Sequence, residues 1–403
     1  MMKRNMLAAV IAAVSAQSMA TLAACANDGA SGVGPSDDAN TPVPAPAVDG
    51  GLDAAEPDGS ACTDDCEFFP DACTDDALCV ASLFDGDAGS PGLDLRTHVH
   101  ALVGRSPNDA WLSGAAGVVA RFDGTSWRRS ATNTQHSLYA LWLLDGAEVA
   151  FDSPARIYAR GLDAGADAPT SDDGWSPLGS ATLASAWTQA APRIEASWSP
   201  AGTHTLWIGV TTTRSTPGVF RMRYSPSDGR FEVTSPNANC LLVPCREVYG
   251  LDGVSADELW GVGPNGAAFR VTNAESDAPT FTGFTTDTMN ALNGVWAAAS
   301  NDVWAVGANG TVRRYRGDAR AMEAYDELPS KQHLYAVAGS SPSDMWIAGD
   351  EGTVFHYDGS AWTRIKVAGL GARRPRLERI WVPSPGKVWI AGQGALVSLG
   401  GKP

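Results

Sequence analysis

The stretch "NDVWAVGANGTVRRY" at residues 301–315 returns as "SDMWIAGDEGTVFHY" at residues 343–357. Trp304 and Trp346 stand 42 residues apart, and Trp389, in "GKVWIAGQGALVSL", follows after another 43. Trp260, in "DELWGVGPNGAAFRV", precedes Trp304 by 44. Trp111 in "NDAWLSGAAGVVARF" fits the same template, and Trp207 in "HTLWIGV" fits its first half. The interval between Trp111 and Trp207 needs one more copy. "LYALWLLDGAEVAFDSPARIYARG" supplies it, with Ala150 at the tryptophan position. A unit repeated at this period cannot bury its own apolar face and must stack on its neighbours.

A second register runs alongside the first. Eight residues before those positions stand Val103, Trp142, Asp252, Trp296, Ala338 and Trp381, and Trp198 stands nine before Trp207. Each marks the end of another apolar strand, in "LYAL", "IEAS", "VYGL", "LNGV", "LYAV" and "LERI". The sixth copy shows the local grammar. "LYAVAG" alternates, "SSPSD" turns, "MWIAG" is a second strand, and "DEG" turns again with Gly352 where positive φ is needed. "TVFHY" and "AWTRIKV" complete the unit around "DGS". Four antiparallel strands in about 43 residues make one propeller blade. The pattern predicts an all-β, seven-bladed β-propeller of four-stranded antiparallel blades over residues 96–403. Helical arrays would need a 3.6-residue periodicity that the body lacks, and a sandwich does not explain a fixed period. Trp111, Trp207, Trp260, Trp304, Trp346 and Trp389 are read as structural, packed between neighbouring sheets. The last copy ends at "GGKP" without a fourth strand, so residues 78–84, "LCVASLF", are expected to close the ring.

Residues 1–24 read as an export signal, with Lys3 and Arg4 before a small apolar run. The net charge is −16, yet residues 26–95 hold 16 acids and no Lys or Arg. The remaining 29 acids face 27 bases in the body, which is therefore near −2. That balance argues against a nucleic-acid partner, which would ask for a basic face. Residues 25–61 are rich in Ala, Gly, Asp, Pro and Ser and read as a disordered acidic linker. Residues 62–95 hold a cysteine-rich segment and the closing strand. Cys62, Cys66, Cys73 and Cys79 allow three disulfide pairings, which the sequence leaves open. Their spacing lacks the paired CxxC of a zinc knuckle. Cys240 and Cys245 read as a local loop staple worth about 2 kcal/mol.

Two resemblances add to this. "TLAAC" matches the lipobox of bacterial lipoproteins, which implies cleavage before Cys25, acylation of its thiol and a membrane anchor. The repeat, roughly S-x-x-D-x-W-x-x-G-x-x-G-x-V-x-x-Y-D-G-x-x-W, resembles propeller repeats of bacterial lipoproteins and cell-surface proteins. It is distantly similar to sialidase-type and photosystem-assembly-factor-type propellers. "YDGSAW" and "FDGTSW" depart from the Asp box S-x-D-x-G-x-x-W of the sialidase type.

No HExxH, G-x-S-x-G or P-loop occurs, and the G-x-x-G pairs lie between strands as hairpin turns. His98 and His100 alternate on one strand without a third metal ligand nearby, so neither metal nor cofactor is expected. One face should gather Arg373, Arg374, Arg376 and Arg379 with Lys331, His333, Asn265, Asn309, Asp350 and Glu351 around a central channel. Such a rim is where a ligand or partner docks. The expected protein is a monomeric, exported, lipid-anchored binding or scaffold module on the outer membrane, at its periplasmic face or the cell surface. It would bind an envelope protein or glycan without catalysis. The alternatives are a glycan-active hydrolase or lyase at the channel mouth, and an outer-membrane assembly factor.

Overall fold

Seven sheets, each built on four antiparallel strands, stand around a common channel. The computed structural model describes residues 66–85, 92–190, 192–212, 217–236, 240, 242–317 and 319–401. They all belong to one compact unit, Ala61–Pro403. The signal, Cys25, the linker and Cys62 lie outside the described residues.

The inner strands of blades 1 to 7 are Val99–Ser106, Ala140–Leu144, Arg193–Trp198, Gly250–Ser255, Leu292–Ala299, Leu334–Ser341 and Leu377–Ser384. Each turns back into a second strand, as Leu334–Ser341 does into Asp344–Gly349. A third and a fourth strand then step outward from the channel. The seventh sheet is completed from the other end of the chain. Leu78–Val80 pairs antiparallel with Ala395–Leu399, in the register Leu78 to Leu399 and Val80 to Val397. This strand is shorter than residues 78–84, because Phe84–Asp85 leaves to pair with Leu93–Asp94. Two blades also gain a fifth, outermost strand running parallel to its neighbour. Val367–Ala368 lies beside Leu78–Cys79 in blade 7, and Thr182–Leu183 beside Glu232–Val233 in blade 3.

Period-two alternation gives each sheet two apolar faces, and blades pack face to face. The two sequence registers meet across the first hairpin. Val103 lies opposite Trp111, Trp198 opposite Trp207, Asp252 opposite Trp260, Trp296 opposite Trp304, Ala338 opposite Trp346, and Trp381 opposite Trp389. Trp111, Trp207, Trp260, Trp304 and Trp346 are buried, each packed against the next blade, and Trp389 meets Phe122 and Trp127 of blade 1.

Blade 2 corrects the repeat alignment. Its first hairpin is a two-residue turn without the bulge seen elsewhere, so Trp142 lies opposite Val149 and Ala150 opposite Leu141. Ala150 points back to blade 1, beside Trp111 and Trp175, while Val149 faces blade 3. Trp142 supplies the ring from the first strand, and its indole donates to the Ser199 hydroxyl at 3.0 Å.

The acid two residues before the tryptophan has a structural task. In blade 1, Asp109 accepts the Trp111 indole at 3.1 Å and the Arg121 guanidinium at 3.2 Å. Glu258 takes Trp260 and Arg270 in blade 4, and Asp344 takes Trp346 and His356 in blade 6. The base comes from the third strand, opposite the tryptophan, and lies over its ring (4.4 Å for Arg314 on Trp304). The turns between second and third strands need their glycines. A Cβ on Gly307 would fall 2.0 Å from the Ala291 carbonyl oxygen, and one on Gly310, at φ +70°, 1.9 Å from that of Ser330.

Of the cysteines, Cys73 pairs with Cys79 and Cys240 with Cys245. Cys66 is also disulfide-bonded.

Candidate functional site

Every inner strand opens apolar, then polar, then small in most blades: "VHA", "LYA", "IEA", "VYG", "LNG", "LYA" and "LER". The second residue therefore recurs once per blade at the same height. His100, Tyr139, Glu195, Tyr249, Asn293, Tyr335 and Glu378 form a ring at the channel mouth. Together with His98, Arg193, Arg376 and Arg379 they line a cavity of 310 Å³. Beneath it a further 350 Å³ reaches Trp198, Trp296, Trp381 and Asp252.

Arg379 stands where all six other blades have Ala or Gly at the third position, so its side chain occupies the channel wall just below the ring. Its Nε donates to the His100 carbonyl at 2.6 Å and its Nη1 to the Glu378 carbonyl at 2.9 Å. Burial pulls its guanidinium below the ordinary range, opposed by Glu378 and Glu195. Burial also works against ionisation of Glu378. The His98 hydrogen bond, with Arg379 and Arg376 nearby, outweighs it and holds the carboxyl below its usual value. Arg376 donates to Asp350 at 3.1 Å and lies 4.7 Å over the Tyr335 ring, whose hydroxyl donates to the same Asp350 at 3.2 Å. One side of the mouth is thus a braced lattice of His98, Glu378, Arg376, Asp350 and Tyr335.

Across the mouth stand Tyr139, Glu195 and Tyr249. Glu195 accepts Thr211 at 2.9 Å and Arg193 at 3.3 Å. Tyr139 lies against the His100 ring at 4.4 Å, and the Arg193 guanidinium lies over the Tyr139 ring, 5.9 Å from its centroid. Burial, then Glu247 and Glu195, raises the Tyr249 hydroxyl. His100 is pushed down to about 3, by burial first and then by His98 and Arg379. Deeper, burial lifts Asp252 to about 7, against the backbone N–H groups of Ala297 and Gly253 and the Trp198 indole. At neutral pH the mouth therefore offers aromatic faces, an uncharged imidazole and paired charges rather than a field of one sign.

Of the rim residues expected from sequence, Arg376, Arg379 and Asp350 come together at the mouth. Arg373 donates to the Gly394 carbonyl at 2.8 Å and fixes a turn of blade 7. Arg374 covers Phe69 at 3.6 Å, tying its loop to the cysteine-rich segment. Lys331, His333, Asn265, Asn309 and Glu351 are exposed on the surrounding turns and do not line the mouth cavity. Glu351 accepts Gln332 at 2.6 Å, and Asn309 donates to Asn290 at 3.4 Å. His98 is engaged by Glu378, and no group of three or more His, Cys, Asp or Glu among the described residues could hold a metal ion. The ring itself was missed by sequence reasoning. Its signal was present, as one polar or aromatic residue per copy at a fixed repeat position inside an otherwise apolar strand.

No protein-family model matches the chain, and no curated protein matches it. Solved structures do. YCF48 bound to D1 peptide superposes with a TM-score of 0.55 at 15% identity, covering 78% of this chain and 97% of that one. YCF48 from Cyanidioschyzon merolae gives 0.55 at 14%, covering 76% and 96%. The extracellular domain of BT4673 from B. thetaiotaomicron gives 0.54 at 12%, over 80% of this chain but only 40% of that one. At such identities the likeness is one of fold alone, and the fold of this chain is a seven-bladed β-propeller.

Proposed function

We propose that this propeller is a non-enzymatic binding module which holds a protein or glycan partner at its channel mouth, tethered to the outer membrane through a lipid on Cys25. The observation that carries the binding reading is the mouth ring, with one side chain contributed by each of the seven blades. Aromatic faces, amide and carboxylate groups converge there on a concave surface, as binding sites require. The mouth carboxylates are already held, Asp350 by Arg376 and Tyr335. Glu378 is engaged by His98 and Arg376, and Glu195 by Thr211 and Arg193. Carboxylates so fixed present oriented acceptors to a ligand. The YCF48 structure contains D1 peptide, which is in keeping with a protein partner for this architecture. Disulfides in the body suit an exported chain, where the compartment is oxidising.

The test is a cross-linked pull-down of the native protein from whole membranes. Cys25→Ala should release the protein from the membrane. Tyr335→Ala and Arg379→Ala should lose a stoichiometric partner while staying membrane-bound. No partner, with intact membrane-bound protein, would remove the scaffold reading.

A further inference from the structure

Among the described residues, the outer edge of blade 4 is covered at one end only. Its fourth strand, Thr280–Phe284, pairs inward with Ala268–Thr272 without any shift of register. Just beyond it, Thr285 donates to the Arg320 carbonyl at 3.0 Å and accepts the Met322 N–H at 2.8 Å. Thr285 and Ala321 form a parallel bridge there, and the chain then departs to blade 5. Backbone groups alternate sides along a strand. With Thr285 facing outward, Phe281 and Gly283 also present their N–H and C=O groups outward.

A groove of 740 Å³ runs along this edge. Leu242, Val243 and Pro244, on the loop closed by the Cys240–Cys245 disulfide, form one wall, and Arg320 stands at the far end. Leu242 is 82% exposed, and with Met289 it is one of two exposed large apolar residues among those described. Arg320 is exposed, and among the described residues no acidic one lines the groove. Unpaired edges of this kind are templates for strand addition. The molecule already uses that device twice, in the parallel fifth strands of blades 3 and 7.

We infer that this groove is a second docking site, which takes an extended peptide from a partner protein as a parallel fifth strand. Its main chain bonds to Phe281 and Gly283. An apolar side chain lies on Leu242, and an acidic C-terminal end meets Arg320, where the chain's own bridge begins. The site is separate from the channel mouth and stands whether or not the mouth binds.

The probe is a library of random synthetic octapeptides ending in Asp or Glu, compared with the same library ending in Lys. The acid-ended library should bind at least about tenfold more tightly, and Arg320→Glu should reverse that order. In the saturated complex the Phe281 and Gly283 amides should exchange at least about tenfold more slowly. Gly283→Pro removes the outward donor and should abolish binding. Leu242→Ser alters an exposed side chain, leaves folding untouched, and should weaken binding several-fold even if Gly283→Pro fails to fold. Binding that leaves both amides unprotected, or no preference for the acidic end, overturns the inference. So does a body that sediments as a dimer and becomes a monomer on Leu242→Ser, because the occupant is then a second copy of this chain.

Discussion

Trp142 and Ala150 show how side-chain direction governs this fold. Moving the ring from the second strand to the first keeps it in the interface between blades 2 and 3, because cross-strand partners share a face. Trp142→Ala should therefore cost about 3–5 kcal/mol, as for any fully buried aromatic. Ala150→Trp should not restore it. That side chain faces Trp111 and Trp175, and overpacking there should cost about 1–3 kcal/mol more. Urea unfolding of the two variants and their combination decides this, and a stabilising Ala150→Trp would refute the assignment. Two channel residues give opposite pH dependences. Asp252 titrates near 7 when folded, above its unfolded value, so its contribution to stability falls as pH rises from about 4 to 7. His100 titrates near 3, below its unfolded value, so its contribution is lost as pH falls from about 6.5 to 3. Asp252→Asn should flatten the first slope and leave the second, making the protein more acid-sensitive relative to wild type. Urea midpoints between pH 4 and 7 measure it, and an unchanged profile would contradict the burial of Asp252.

At the scale of elements, the repeat was legible because each blade repeats the same hairpins. Strand number, blade number and the cross-strand register of six tryptophan positions could be read from spacing alone. What spacing could not carry was a hairpin lacking its bulge, since one missing residue reverses every side chain on that strand. The mouth ring was legible in principle but hidden by treating the inner strands as apolar pattern. The expected rim was only partly right in place, because Arg373 and Arg374 are drawn into turn and aromatic contacts that depend on segments far away in sequence. Ring closure gives the clearest element-level test. Leu78 is fully buried between Ala395–Leu399 and Val367–Ala368. Leu78→Ala should cost about 2–5 kcal/mol if this strand is integral to the seventh blade. A loss under about 1 kcal/mol would make it a surface decoration.

For the whole molecule, charge and architecture separate cleanly. The acidity lies in residues 26–95, while the propeller body is nearly neutral and presents its side-chain diversity at one end of the channel. A ring with a polar mouth suits recognition of a partner. The most direct test places a photo-cross-linking amino acid at Tyr139 or Tyr249 in the ring, and at Ser255 at the far end of the blade 4 inner strand. Cells expressing each variant are then irradiated. Binding at the mouth predicts one discrete adduct from Tyr139 and Tyr249 and none from Ser255. Equal adducts from all three positions, or none from the ring, would contradict it.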